Sequence, residues 1–65
     1  MCQMSVVLED DKGESLLMKN VSELKVTQAG IQLSQMFERP KDIKDVAITR
    51  IDFLGGKVYL APSRR

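Results

Sequence analysis

The stretch Ile48-Thr49-Arg50-Ile51-Asp52-Phe53-Leu54-Gly55-Gly56-Lys57-Val58-Tyr59-Leu60-Ala61-Pro62 decides the fold class. Two alternating runs rich in β-branched and aromatic residues flank a Gly-Gly pair. Both central positions of a two-residue type I′ turn need positive φ, which glycine adopts without steric cost. The segment therefore predicts a β-hairpin turning at Gly55-Gly56. That register sets Phe53 opposite Val58 and Ile51 opposite Leu60 on a core face. The other face carries Asp52 opposite Tyr59, with Arg50 beside them. A slip of one residue would exchange the two faces.

Working outward from this hairpin, short apolar segments recur between turn signals. Met4 to Glu9 forms a first strand, ended by Asp10-Asp11-Lys12-Gly13, and Glu14 to Met18 returns from it. Asn20 breaks the pattern. Glu23 to Gln28 forms a third strand, and Ile31 to Met36 returns after an Ala29-Gly30 turn that pairs Val26 with Leu33. Between the hairpins, Phe37 to Val46 is either one helical turn beginning at Pro40 or an irregular connection. The expected fold is all-β: a small antiparallel β-barrel or strongly curled sheet of about six short strands, one domain over residues 1–65. Pro62-Ser63-Arg64-Arg65 reads as a frayed end. The first hairpin is apolar on both faces, with Val6, Leu8 and Leu17 on one and Val7 with Leu16 or Met18 on the other. A second copy of the chain covering one side would explain it.

At 65 residues the chain has little core with which to stabilise itself. One cysteine excludes an intramolecular disulfide, and the absence of histidine excludes a Cys/His zinc site within one chain. A closed β architecture, an oligomer, or both must supply what those staples would. Ten basic and nine acidic residues leave a net charge of +1, far from the basic field that drives nucleic-acid binding through counterion release. Met1-Cys2-Gln3-Met4-Ser5 lacks the basic region of a signal peptide, and no stretch approaches the roughly 20 apolar residues that span a bilayer. A free thiol without an export signal fits a reducing compartment. The expectation is a complete, soluble, cytoplasmic protein.

Three stretches, MCQMSVVLE (1–9), LKVTQAGIQLSQMFE (24–38) and ITRIDFLGGKVYLAP (48–62), together resemble the CooT family. Its members are small nickel-binding accessories linked to nickel insertion into carbon monoxide dehydrogenase. The resemblance covers nearly the whole chain, and its most specific element is the Met-Cys opening before an apolar strand. It implies that Cys2 is the metal ligand, that Ni(II) is the metal, and that a homodimer brings two such cysteines together. It implies no second side-chain ligand. It also implies partners among the nickel-enzyme maturation machinery, or carbon monoxide dehydrogenase itself.

The chemistry at Cys2 suits that role. Aminopeptidases remove an initiator methionine that precedes a small residue, and cysteine qualifies. Cys2 would then offer its α-amine and its thiolate to one metal. Two copies supply nitrogen and sulfur pairs suited to square-planar nickel(II). If Met1 stays, deprotonated backbone amides near Cys2 would complete the set. Copper and zinc are chemically acceptable competitors, so selectivity rests on geometry or on which metal is delivered.

Other candidates have plainer readings. Met4, Met18 and Met36 lie in strand patterns, where methionine fills core gaps. Asp10-Asp11 lacks the further carboxylates of a calcium loop. Gly55-Gly56 lacks the Gly-Lys-Ser/Thr pattern and following helix of a phosphate loop. Without histidine there is no Ser-His or Cys-His pair, which argues against an enzyme. The alternative function is a small-barrel RNA-binding protein using Arg39, Lys41, Lys44 and Arg50, with Tyr59 as a stacking platform. The two phenylalanines are expected to be buried or nearly so, which counts against it.

Overall fold

A computed structural model describes residues 4–63; Cys2 lies outside them. Seven strands follow in order: β1 (Met4–Asp10), β2 (Gly13–Val21), β3 (Glu23–Val26), β4 (Gly30–Ser34), β5 (Lys41–Lys44), β6 (Val46–Asp52) and β7 (Lys57–Pro62). The all-β expectation is met. The strands form two sheets, one in the order β2-β1-β7-β6 and one in the order β3-β4-β5. No ladder joins the two sheets into a closed barrel among the described residues.

The first and last strands pair in parallel, with Val6 beside Val58 and Leu8 beside Leu60. This makes β1 a central strand, flanked by β2 on its other side. A central strand covered on both faces reads as a continuous apolar run rather than an alternating one. Val6 is 0% exposed and Val7 6%. The chain itself therefore buries both faces at this point, and a second copy is not needed to explain them. Only Leu16, opposite Val7, stays out in solvent at 54% exposure.

The sheets enclose a core of Val6, Ile31, Leu33, Val58 and Leu60, with Met4, Leu8, Leu17, Met18, Leu24 and Ile43 packed around it. Asn20 does not end β2. It adopts φ 55 inside the strand, and the ladder to β1 shifts register beyond it, between Met4 and Val6. Asparagine tolerates this left-handed conformation better than most residues. At the corner between the sheets Asp45 takes φ 61, and its N–H donates to the Ala29 carbonyl at 2.9 Å.

Three sequence expectations are corrected. The connection from Phe37 to Val46 holds no helical turn; it contains β5, which pairs with β4 through Ile31 and Ile43. One apolar residue in Lys41-Asp42-Ile43-Lys44 is enough for an edge strand with a single buried face. The β3–β4 hairpin sets Val26 opposite Ile31 and Leu24 opposite Leu33, so Val26 does not meet Leu33. Thr27 explains the earlier turn. Its Oγ1 donates to the Gly30 carbonyl at 3.1 Å and accepts the Gly30 N–H at 3.0 Å. The β6–β7 hairpin turns over Phe53 to Gly56, with Asp52 opposite Lys57, Ile51 opposite Val58 and Arg50 opposite Tyr59. A shift at Thr49 then sets Ile48, rather than Ile51, opposite Leu60.

At Gly30 the β4 and β5 backbones approach closely. A Cβ there would collide with the Ile43 carbonyl oxygen and stand 3.0 Å from Lys44 Cα. Backbone cannot swing aside as a side chain would. Gly30→Ala is expected to cost about 2–3 kcal/mol through overpacking, lowering Tm by more than about 8 °C in a domain of this size. A melting curve matching the wild type would show that β5 does not lie where it is placed.

Candidate functional site

One end of the molecule collects four separate pieces of chain around the start of β1. Met4 pairs with Val21, and the Ser5 N–H donates to the Gly56 carbonyl at 2.8 Å. The Ser22 N–H donates to the Ser34 carbonyl at 2.8 Å, tying the β2–β3 link to the end of β4. Gln35 Nε2 donates to the Lys19 carbonyl at 2.6 Å, bringing the β4–β5 connection to the same end. The β6–β7 loop completes the group. Cys2 lies two residues before Met4, and two residues of chain span at most about 7 Å.

The same end is rich in uncovered apolar side chains. Leu54 is 100% exposed, Phe53 82%, Phe37 98% and Met36 70%. An open apolar groove lies alongside, lined by Met4, Val21, Leu24, Ile51, Phe53 and Val58. Isolated exposed apolar residues are ordinary, whereas contiguous apolar patches are often contact surfaces. Phe37 also holds φ 66, a conformation costly for a bulky residue. Period-two reading had put Phe53 in the core and both phenylalanines out of solvent. The extra turn residues carry Phe53 off the strand, and Phe37 stands in the β4–β5 connection. No feature of the sequence distinguishes Phe53 from a core residue once the hairpin is taken to turn two residues later.

The opposite end is polar and acidic. Asp10 and Asp11 form the β1–β2 turn, where Asp10 Oδ1 accepts the Lys12 N–H at 2.9 Å. The Asp10 carboxylate caps this turn, in keeping with the turn reading of Asp10-Asp11. Among the described residues, no group of three or more Cys, His, Asp or Glu side chains gathers as for a metal ion. Met4 and Met18 pack against the core, and Met36 stands exposed in the β4–β5 connection.

The cationic candidates are dispersed. Arg39, Lys41 and Lys44 lie exposed on the β4–β5 connection and β5, in the three-stranded sheet. Arg50 lies on β6 in the other sheet, with its guanidinium 3.7 Å from the centre of the Tyr59 ring. Tyr59 is only 6% exposed, so Arg50 already occupies the face that a base would need. Tyr59 is not a free stacking platform.

The model of the carbon monoxide dehydrogenase accessory protein CooT matches residues 1–61. The chain belongs to the CooT family. That match runs from the Met-Cys opening through the β6–β7 hairpin to Ala61 in β7. Among solved structures, the chain resembles a putative CooT from Carboxydothermus hydrogenoformans with a TM-score of 0.83. The two are 24% identical over 97% of this chain and 100% of the other, a likeness that speaks to the fold. No curated protein matches the chain. The CooT family is one of accessory proteins to carbon monoxide dehydrogenase, in keeping with a chain read as no enzyme. Among the described residues no helix is long and apolar enough to cross a membrane.

Proposed function

We propose that this CooT-family chain is a nickel(II)-binding accessory of the metallochaperone kind, assisting nickel delivery or insertion into carbon monoxide dehydrogenase. Nickel is its cargo, bound through Cys2. The observation that carries this reading is the family match over residues 1–61, which takes in Cys2 itself. The described residues support it indirectly: they offer no competing cluster of ligands, and they present an apolar contact surface beside the start of β1. Cys2 contributes the thiolate, and its α-amine, once Met1 is removed, contributes nitrogen. Because the thiol must lose its proton to bind, affinity falls as pH falls. The chain works as one small domain in the cytoplasm, where reducing conditions keep the thiol free.

Titrating nickel(II) into the untagged protein tests the reading. A thiolate-to-nickel charge-transfer absorbance that rises and saturates is expected. Absence of any such absorbance at neutral pH would overturn it.

The working form is a homodimer that brings two Cys2 residues to one metal. Leu54 projects fully into solvent one residue after Phe53, which lines the apolar groove, and an exposed apolar side chain near such a groove suits a two-fold contact. Burying one leucine contributes about 1.5–3 kcal/mol, and two-fold symmetry applies any substitution twice. Leu54→Asp is therefore expected to weaken association more than about a hundredfold while leaving the β-sheet circular dichroism intact. An unchanged dimer mass by light scattering would remove this surface from the interface.

One observation favours the second reading, an RNA-binding protein. Phe37 and Phe53 are exposed, and exposed aromatics stack bases. Binding of single-stranded RNA that weakens steeply with salt, and is lost in Phe37→Ala and Phe53→Ala, would support it over nickel carriage.

A further inference from the structure

The β6–β7 loop is built so that its geometry is passed on to β1. Asp52 is half-buried, and its Oδ1 accepts the Gly55 N–H at 2.8 Å. A Cβ at Gly55 would stand 2.7 Å from Oδ2 of the same carboxylate, so any larger residue there must push that carboxylate aside. Gly56 follows with φ 71, a left-handed conformation that glycine adopts freely. Together these residues aim the Gly56 carbonyl, whose oxygen accepts the Ser5 N–H at 2.8 Å. Ser5 lies three residues after Cys2. We propose that the Asp52–Gly55–Gly56 turn positions the metal-binding N-terminus, fixing Ser5 through the Gly56 carbonyl and so restricting where Cys2 can present its donors.

This inference rests on the nickel reading above and adds positioning residues to it. Three residues of chain span at most about 10 Å, so anchoring Ser5 confines Cys2 to a small volume at one end of the molecule. A donor held near its bound position loses less freedom when the metal arrives, which strengthens binding without any added contact. Asp52 acts through this anchor and is not itself a ligand.

The molecule supplies its own control. Asp10 caps the turn at the far end of β1 by accepting the Lys12 N–H at 2.9 Å. Asp10→Ala removes a comparable turn hydrogen bond without touching Ser5. If Asp52 merely stabilised the fold, Asp10→Ala and Asp52→Ala would have similar consequences for nickel.

The experiment compares wild type, Asp52→Ala, Asp52→Asn and Asp10→Ala, reading nickel(II) affinity by chelator competition and amide exchange at Ser5 and Val7 in the metal-free protein. In Asp52→Ala, Ser5 exchange is expected to quicken and nickel affinity to fall, each by about tenfold, while Val7 stays protected. Asp52→Asn keeps an oxygen acceptor and should restore both values. Asp10→Ala should leave both at the wild-type level. Unchanged Ser5 exchange in Asp52→Ala would overturn the anchor, as would a loss of nickel affinity in Asp10→Ala as large as that in Asp52→Ala. Failure of Asp52→Asn to restore affinity would overturn positioning in favour of a direct role for the carboxylate. If Asp52→Ala folds too poorly to assay, Gly55→Ala replaces it, because its Cβ displaces the same carboxylate. Wild-type nickel affinity no greater than that of Cys2→Ala would overturn the nickel reading and this positioning role with it; Ser5 exchange would still report separately whether the turn holds β1.

Discussion

Cys2→Ala is expected to weaken nickel(II) binding by more than about a hundredfold, because even residues that only support a ligand alter affinity ten- to a hundredfold and this change removes the ligand. The chain has no histidine and no other cysteine. No acidic cluster among the described residues can take the metal over. Methionine sulfur is a weaker donor, and Met18 packs against the core. The core of Val6, Ile31, Leu33, Val58 and Leu60 is made by residues of β1, β4 and β7. The variant should therefore melt within about 1 °C of wild type, as surface substitutions generally do. Competition against a coloured chelator measures the affinity, and calorimetry measures the melt. Affinity within threefold of wild type would place the metal elsewhere. A collapsed melting temperature would mean that Cys2 serves the fold.

Leu60→Ala should leave the protein close to unfolding. Leu60 is 0% exposed and stands where β7 meets both of its neighbours, beside Leu8 in the parallel pair and opposite Ile48 in the antiparallel pair. Truncating a buried leucine costs about 2.7–5 kcal/mol, depending on how far the cavity collapses. A domain of this length holds only about 3–10 kcal/mol in total. With a urea slope of about 1 kcal/mol/M, the unfolding midpoint should drop by about 3 M or more. Ala61 is the informative comparison, since it is only partly buried on the same strand; Ala61→Ser should shift the midpoint far less. A Leu60→Ala shift below about 1 M would contradict the enclosed core between the sheets.

The strands were legible because β-branched alternation and turn residues act over a few positions. The first strand, read as Met4 to Glu9 and observed as Met4–Asp10, is an example. What escaped notice depends on long-range pairing or on side-chain capping. Nothing in Val6-Val7-Leu8 states that its partner is Val58 to Leu60, more than fifty residues away. Two-sided burial of β1 follows from that pairing, and in its absence the apolar run looked like an oligomer surface. Both misplaced hairpins turn on one side chain each. Thr27 closes its turn early, and Asp52 captures the Gly55 N–H so that Phe53 and Leu54 enter the loop. β5 was hidden because Ile43 is the only apolar residue in a charged segment, and an edge strand needs little more.

The candidate site was legible in a different way. Cys2 came from the resemblance carried by the Met-Cys opening, and the family match over residues 1–61 agrees with that family. The exposure of Phe53 and Leu54 was not legible. Strand alternation puts Phe53 on the core face, and only the loop geometry turns it out.

Native mass spectrometry of the nickel-saturated, untagged protein tests the central claim most directly. The account predicts a species of two chains carrying one nickel, which returns to metal-free mass in Cys2→Ala. The same spectrum reads from the mass whether Met1 has been removed. A wild-type spectrum without nickel, or one in which Cys2→Ala keeps the same nickel per chain, would contradict it.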